Sequence, residues 1–338
     1  MNQRVLCFGE ILLRLAAPAK ELLLQSPRLD VCVAGAEANV AVALARWGHS
    51  ASMLTVLPDS PLGDAALAEL RRHGVATDRV QRSPGRMGLF FLETGALQRA
   101  SEIHYDRALS AFASAPPESF DWDRELAGVT WLHISGITPA IGAGAAKSAL
   151  AAMRTAVRLG VSTSFDCNHR AKLWSAWKGD PRSALGEIVE HSDILFATER
   201  DIAALLGASF DSVPAPERAQ RAARQVFERF PRVKAMYGTV RTERSADDNS
   251  LSAQLCLRER HFSTGTYELR PIVDRIGSGD AFAAGVLHGH LKGLEPQAAL
   301  DFGLAAACLK HTFVGDFNHA RLGQIEALLA EQGFGVRR

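Results

Sequence analysis

Short apolar stretches alternate with longer amphipathic ones along most of the chain. The apolar stretches of strand length occupy residues 4–10, 52–59, 129–135 and 161–166. The amphipathic stretches of helical length occupy residues 39–47, 62–73 and 143–159, and they are followed by Gly48, Gly74 and Gly160. Glycine directly after a helical segment is a common stop signal. The alternation predicts an α/β fold with a doubly wound, mostly parallel sheet flanked by helices.

Two regions break this alternation. Residues 86–93 and 103–107 read as consecutive strands with no helix between them, and residues 250–269 read as a hairpin. We therefore predict a single domain over residues 1–338 with a small β-strand lid, drawn from about residues 10–35 and 86–110. Lid strands with open edges favour a homo-oligomer, because an unpaired strand edge can pair with a second copy.

Charge and composition limit the classes of binding partner that we expect for this chain. The chain has 38 Lys and Arg against 37 Asp and Glu, so its formal net charge is +1, and it has no basic arm or acidic tail. Nucleic acid and anionic membranes are therefore not expected as partners. The five cysteines form no CxxC pair, and no cleavable leader is expected at the start of the chain. We expect a cytoplasmic protein with free thiols.

The segment with the most specific chemistry is Gly277-Ser278-Gly279-Asp280, which follows an apolar, strand-like run ending at Ile276 and opens a helix. Glycines at such a turn leave backbone N–H groups free to bind an anion, and the helix N-terminus favours phosphate. A carboxylate in the first turn is placed to accept a proton from a hydroxyl that attacks a phosphoryl group. The alternative is that Asp280 merely caps the helix.

Residues 274–285, DRIGSGDAFAAG, resemble the C-terminal signature of the ribokinase-like (PfkB) carbohydrate kinases. Residues 35–41, GAEANVA, resemble the N-terminal signature of the same family. Segments at residues 9–15, 165–174 and 309–318 are most similar to the members that phosphorylate 2-keto-3-deoxygluconate. The resemblance covers nearly the whole chain and implies the ribokinase-like fold, with ATP and Mg²⁺ as cofactors.

The resemblance also implies roles for individual residues. Asp280 would be the general base, and the amides of Gly277, Ser278 and Gly279 would form the anion hole. The residues around the sugar would be Gly35, Asn39, Phe90, Tyr105, Arg107 and Arg170. Those on the nucleotide side would be Arg241, Gly279, His311 and Asn318.

The residues themselves also favour an acidic substrate. Tyr105 and Arg107 are two apart, so on a strand both face the same way, and a hydroxyl beside a guanidinium suits a carboxylate or keto oxygen. Arg170 lies just past a predicted strand, where open α/β sheets bind ligands. For each arginine the alternative is a surface salt bridge.

Two positions depart from the family pattern. The family usually has an NxxE motif that orders the Mg²⁺ water shell, and here Thr198 and Asp201 stand at its ends, with Glu199 as a substitute carboxylate. Phe90 occupies a lid position at which some relatives present Tyr. We therefore predict altered metal binding at 198–201 and one hydrogen bond fewer to the sugar.

Together these observations predict an ATP-dependent kinase that converts 2-keto-3-deoxygluconate to its 6-phosphate. One alternative keeps the chemistry and changes the substrate to a neutral sugar such as fructose or ribose. A second alternative is a non-catalytic sugar-binding regulator on the same fold.

Overall fold

The computed structural model describes residues 3–331, which form fourteen strands and twelve α-helices. The strands are β1 (Arg4–Phe8), β2 (Leu12–Ala16), β3 (Asp30–Ala34), β4 (Ser50–Pro58), β5 (Val80–Ser83), β6 (Gly88–Glu93), β7 (Glu102–Asp106), β8 (Trp131–Ser135), β9 (Ser162–Asp166), β10 (Ile194–Phe196), β11 (Ala235–Glu243), β12 (Asn249–Leu257), β13 (His261–Ser263) and β14 (Tyr267–Leu269).

The helices are α1 (Ala36–Arg46), α2 (Pro61–Arg72), α3 (Trp122–Glu125), α4 (Ile137–Ala140), α5 (Ala143–Arg158), α6 (Ala171–Trp177), α7 (Pro181–Val189), α8 (Glu199–Leu206), α9 (Arg218–Arg229), α10 (Ser278–Lys292), α11 (Pro296–Lys310) and α12 (Leu322–Leu329). Two short 3₁₀ turns occupy Pro117–Ser119 and Ala215–Glu217. No helix within residues 3–331 is both long enough and apolar enough to cross a bilayer.

The large sheet has the strand order β13-β12-β11-β10-β9-β8-β1-β4-β5, and β14 pairs with β12 beside this path. The strands from β11 through β5 pair in parallel, while β12, β13 and β14 add an antiparallel edge. All-parallel pairing brings the carboxyl ends of the central strands to one edge, where ligands bind in open α/β sheets.

The two faces of this sheet pack against separate apolar cores. In β1, Val5 and Cys7 belong to the core that contains α1, α10 and α11, while Leu6 and Phe8 belong to the core that contains α5, α7 and α9. All four side chains are fully buried. A strand buried on both faces reads as a continuous apolar run, which is why the sequence pattern predicts it well. The predicted α/β class, with helices on both faces of a mostly parallel sheet, is confirmed.

A second sheet of four strands has the order β3-β2-β6-β7. Strands β2 and β6 pair in parallel, and β3 and β7 pair antiparallel at the two edges. Its strands come from the two segments, 10–35 and 86–110, that we predict to supply a lid. That this sheet moves as a lid stays a prediction, and residues 1–2 and 332–338 of the predicted single domain lie outside the described residues.

One predicted strand is wrong. The apolar run that ends at Ile276 forms no strand, because β14 ends at Leu269 and the chain from 270 to 277 is irregular. Pro271 has no N–H to give to a sheet, and the Asp274 carboxylate accepts the N–H of Ile276 at 3.0 Å. Local side-chain bonding therefore replaces strand pairing just before the anion-binding turn.

Candidate active site

A cleft of about 880 Å³ lies between the carboxyl edge of the large sheet and the four-stranded sheet. We call its two sides the large-sheet wall and the small-sheet wall. The large-sheet wall includes Gly35, Asn39, Asp166, Asn168, Arg170, Thr198, Asp201, Arg241, the turn Gly277–Gly279, Asp280 and Asp316. The small-sheet wall consists of Leu12, Phe90, Ile103, Tyr105 and Arg107. Most of the residues predicted from the sequence thus line one cavity.

The turn before α10 has the backbone that anion binding requires. Gly277 has φ = 81°, and a Cβ there would collide with the main-chain oxygen of Asp316, so only glycine fits. No side chain caps the amino end of α10. The Ser278 N–H donates to the Arg275 main-chain oxygen at 3.3 Å, while within the described part of the chain those of Gly277 and Gly279 are free to meet a negatively charged group in the cleft.

Asp280 lies in the first turn of α10 and does not cap that helix, so the capping alternative is wrong. Its Oδ2 accepts a hydrogen bond from Asn39 Nδ2 at 2.6 Å, across 241 residues of sequence. Burial, together with the charge of Asp316, raises the pKa of Asp280 to about 7, against the opposing effects of Asn39, Arg170 and Lys310. A carboxylate with a pKa near neutrality is suited to act as a general base.

Asn39 is 4% exposed and lies in α1, directly after the Gly35 turn. Its Oδ1 is buried and has no partner among the residues that the structure describes. Because buried polar atoms are almost always bonded, this oxygen is available to a ligand hydroxyl in the cleft. Asn39 thus fixes Asp280 with one atom and keeps another for a ligand.

Three carboxylates converge beside this turn. Burial, followed by the charges of Asp280 and Asp201, raises the pKa of Asp166 well above its usual value. Within residues 3–331 no set of three His, Cys, Asp or Glu side chains is arranged as metal ligands. Mg²⁺ usually takes one or two carboxylates and fills its remaining positions with water and phosphate oxygens. An ion of this kind would relieve the repulsion among these carboxyl groups.

The altered NxxE segment forms the start of α8. Thr198 donates its N–H and its hydroxyl to Asp201 Oδ2, at 2.8 and 2.7 Å, and Asp201 returns its N–H to the Thr198 hydroxyl. This capping box explains why Thr198 and Asp201 occur together, because a threonine and a carboxylate three residues later satisfy each other's free N–H groups at the start of a helix. Both line the cleft, whereas Glu199 is not among the lining residues.

Two guanidinium groups flank the outer side of the anion-binding turn. Arg241 reaches the Ser278 hydroxyl at 3.4 Å, and Arg275, which sequence analysis did not single out, lines the same cleft. Burial and the charge of Arg275 lower the pKa of Arg241 to about 10. Both groups are half-buried, and Arg275 also pairs with Glu243 at 2.7 Å. Two adjacent positive charges favour a polyanionic ligand at this end.

The other two residues predicted on the nucleotide side do not line the cleft. His311 is buried behind Arg241, and its Nδ1 donates to the Ala307 carbonyl at 2.7 Å while Nε2 accepts from Arg241 at 3.0 Å. Asn318 is buried too, and its amide bonds the main chain at Ala306 and Ala320. Neither side chain is brought to the cavity, so both support neighbouring backbone or side chains instead.

The two arginines predicted at the sugar end of the cleft differ in exposure and in ion pairing. Arg107 is 5% exposed, and its guanidinium binds Glu10 through Nε at 2.7 Å and Nη2 at 2.5 Å. Glu10 also accepts the hydroxyl of Ser110. Arg170 is exposed at the start of α6 and lowers the pKa of both Asp280 and Asp166. Arg170 therefore has the more accessible charge, while that of Arg107 is already met inside the protein.

Comparison with known proteins fits this geometry. Residues 2–318 match the model of the pfkB family of carbohydrate kinases. The chain belongs to this family. It is 35% identical to a 2-dehydro-3-deoxygalactonokinase from Haloferax volcanii, over 100% of both chains, and 29% identical to a 2-dehydro-3-deoxygluconokinase from Bacillus subtilis, over 85% of this chain and 82% of the relative.

The fold is likewise similar to that of solved pfkB structures. A 2-dehydro-3-deoxygluconokinase from Thermotoga maritima superposes with a TM-score of 0.91 at 40% identity, covering 97% of this chain and 99% of the other. The predicted family, the ribokinase-like fold and the activity class of a carbohydrate kinase are thus confirmed. Kinases of the pfkB family use ATP, and these matches favour a kinase over the alternative of a non-catalytic regulator.

Sequence reasoning missed a buried acid in this pfkB kinase. Glu37 is 1% exposed, and its Oε1 accepts from Ser135 N at 2.8 Å and from the Thr138 hydroxyl at 2.7 Å. Burial, together with the charge of Asp280, raises its pKa to about 7, although the hydrogen bonds from Thr138 and Ser135 oppose the rise. The available signal was a glutamate two residues after Gly35, in a segment, 35–44, whose only other polar side chain is that of Asn39. Glu37 joins α1 to the β8 end and so fixes the helix that carries Asn39.

Proposed function

We propose that this kinase transfers the γ-phosphoryl group of ATP to the 6-hydroxyl of 2-dehydro-3-deoxygluconate, with Asp280 as the general base. The observation that carries the proposal is the presence in one cleft of Asp280, at the free amino end of α10, and of the exposed Arg170 guanidinium. A neutral sugar has no need of a guanidinium partner, whereas a sugar acid does. Relatives of 35% and 40% identity carry the names of keto-deoxy sugar acid kinases.

The chain's own residues account for binding and proton transfer. The substrate carboxylate pairs with Arg170, and Tyr105 and Arg107 line the same cleft. The free Oδ1 of Asn39 accepts a sugar hydroxyl. Asp280 then takes the proton of the terminal hydroxyl as that oxygen attacks, and the N–H groups of Gly277–Gly279 stabilise the charge that develops.

The cofactors would occupy the other half of the cleft. Bound ATP with Mg²⁺ supplies the phosphoryl group and neutralises part of its charge. Arg241 and Arg275 would hold the phosphates, and Thr198, Asp201 and Asp166 would hold the hydrated ion. This set of residues puts positive groups beside the phosphates and negative groups beside the metal, as phosphoryl transfer requires.

The four-stranded sheet would act as the lid. Its inward side chains Leu12, Phe90 and Ile103 are apolar, so closure over the sugar would remove water from the reacting hydroxyl.

The edges of the four-stranded sheet, β3 and β7, would also carry a homo-oligomer contact, and Val31 on β3 is 59% exposed. Sedimentation velocity of the wild type should therefore give a mass above one chain, and a single-chain mass at micromolar concentration would contradict this contact.

A second candidate is the C4 epimer, 2-dehydro-3-deoxygalactonate, because the Haloferax relative with that name is 35% identical over the whole chain. A neutral sugar is the third, since a fructokinase from Klebsiella pneumoniae is 26% identical over 89% of this chain. All three substrates would use Asp280 as the base and the same anion-binding turn. The two sugar acids would need Arg170, whereas the neutral sugar would not.

The test is ADP release with MgATP and five acceptors: the two keto-deoxy epimers, gluconate, fructose and ribose. We expect rapid turnover with 2-dehydro-3-deoxygluconate and at most slow turnover with fructose and ribose. Preference for the galactonate epimer would correct the stereochemistry and keep the acid-binding role of Arg170. Preference for fructose or ribose would overturn the substrate proposal.

A further inference from the structure

One lysine of this protein is entirely buried. Lys310, the last residue of α11, has 0% exposure, although lysines are almost never fully buried unless they are paired. Its ammonium donates to two main-chain oxygens, that of Asp274 at 3.3 Å and that of Phe313 at 3.2 Å. The cation is therefore coordinated by backbone carbonyls at the back of the cleft.

Lys310 belongs to a charge cluster with Arg14, Asp274 and Asp316. Arg14 Nη1 lies 2.7 Å from Asp274 Oδ2 and 2.9 Å from Asp316 Oδ1, and these three side chains are at most 5% exposed. Burial lowers the pKa of Lys310, and the carboxylates of Asp274 and Asp316 oppose that effect. Two cations balance two anions, so the cluster is neutral only while Lys310 is charged.

This cluster holds the anion-binding turn from both sides. The Asp274 carboxylate accepts the N–H of Ile276, directly before the turn, and the N–H of Gly315, both at 3.0 Å. The main-chain oxygen of Asp316 packs against Gly277, where a Cβ would collide with it. The backbone segments 274–277 and 315–316, which shape the turn, are thus joined through Asp274 and Asp316, whose negative charges Lys310 helps to neutralise.

We propose that the Lys310 ammonium is a built-in cation that fixes the Gly277–Gly279 turn, so that this kinase needs no monovalent metal ion for activity. Backbone carbonyl and carboxylate oxygens are the ligands that K⁺ takes in proteins. An ammonium group carries the same charge and, being tethered to α11, does not dissociate. Lys310 is a positioning residue, since it touches the turn's supports and not the reacting atoms.

The test compares the wild type with Lys310→Met in buffers whose sole monovalent cation is tetramethylammonium, then with added KCl or NH₄Cl. Wild-type turnover should be the same in all three. The variant should lose roughly 100-fold in turnover, the loss that a displacement of about 1 Å in a site costs, and K⁺ or NH₄⁺ should restore at least part of it. Lys292→Met, at an exposed lysine near the end of α10, is the matched control and should behave as the wild type.

Thermal unfolding gives a readout that is independent of the sugar substrate, so it separates this inference from the proposed substrate. K⁺ should raise the Tm of the Lys310→Met variant more than that of the wild type, because it binds the vacated oxygens of the folded state. If that variant does not fold, Lys310→Gln, which keeps an N–H donor and loses the charge, is measured in the same way. Activation of the wild type by K⁺, an unimpaired variant, or a slow, folded variant that no cation restores would each overturn the proposal.

Discussion

The two walls of the cleft are built in different ways. On the large-sheet wall, polar groups are bonded to one another across long stretches of sequence, as in the 2.6 Å contact of Asn39 with Asp280. On the small-sheet wall, a single layer of strand side chains faces the cavity, and Leu12 and Phe90 are at most 5% exposed. Fixed polar groups on one wall suit the chemistry, and replaceable side chains on the other suit selection of the sugar.

The character of each wall follows from the secondary structure that supplies its residues. The large-sheet wall collects loops at the carboxyl ends of parallel strands together with the amino ends of α1 and α10, where N–H groups are free. Strand β6 shows strict alternation of buried and half-buried positions, so every second side chain faces the same side. A change at Asp280 or at the Gly277–Gly279 turn on the first wall should therefore abolish the reaction. A change on the second wall, or at the exposed Arg170, should alter substrate preference.

The largest effect is expected for Asp280→Asn on the large-sheet wall. Loss of the general base should lower kcat by ~10²- to 10⁴-fold, with a much smaller change in KM for the sugar. The Asn39 contact can persist, because the asparagine oxygen still accepts. Steady-state ADP release measures both constants, and a variant with near-normal kcat would remove Asp280 from the mechanism.

The same variant should be at least as stable as the wild type at pH 8. Because the pKa of the Asp280 carboxyl is higher in the folded state than in the unfolded state, the protein loses stability as the pH rises above the unfolded-state pKa. Asn cannot ionise, so the variant does not lose this stability. Thermal unfolding at pH 8 checks this point, and a markedly lower Tm would mean that the loss of kcat reflects misfolding.

Arg170→Ala should act on the choice of substrate. Loss of a charge-assisted hydrogen bond, about 1.5–3 kcal/mol, corresponds to a fall of roughly 10- to 100-fold in kcat/KM for the keto-deoxy acid. Turnover of fructose should change little. Arg224→Ala, at an exposed arginine of α9, is the control. An equal loss for acid and neutral sugar would show that Arg170 does not bind the carboxylate.

The pH profile should show the ionisation of the base, because the Asp280 carboxylate must be free to accept the proton of the attacking hydroxyl. With a pKa of about 7, Asp280 is protonated below neutrality, so kcat/KM should fall about tenfold for each pH unit below that value. Because Glu37 and Asp166 interact with Asp280, the apparent value belongs to the group of acids. A profile that is flat down to about pH 5 would contradict this assignment.

The smallest effect is expected for Phe90→Tyr on the small-sheet wall. The added hydroxyl can supply one neutral hydrogen bond to the sugar, about 1 kcal/mol, so KM for the acid should fall by roughly fivefold or less while kcat stays the same. The ratio of kcat/KM for the two C4 epimers measures the change in selectivity. A change in kcat above tenfold would show that this wall takes part in the chemistry.

Much of this architecture could be predicted from sequence, because it depends on local pattern. Buried parallel strands read as apolar runs, and the Gly277–Asp280 motif carries its own geometry. The pairing of Arg107 with Glu10 and the burial of Lys310 could not be predicted, because each depends on contacts between residues far apart in the chain. The irregular stretch at 270–277 was missed for a different reason, because Pro271 and the local hydrogen bond from Ile276 N–H to the Asp274 carboxylate replace strand pairing there.

The most direct single measurement is the ³¹P NMR spectrum of the product formed from MgATP and 2-dehydro-3-deoxygluconate by the wild type and by Asp280→Asn. We predict a new phosphomonoester signal coupled to the two protons of C6 with the wild type, and its absence over the same time with the variant. Release of inorganic phosphate without a sugar ester, or an ester formed equally fast by Asp280→Asn, would contradict phosphoryl transfer to the terminal hydroxyl by this base.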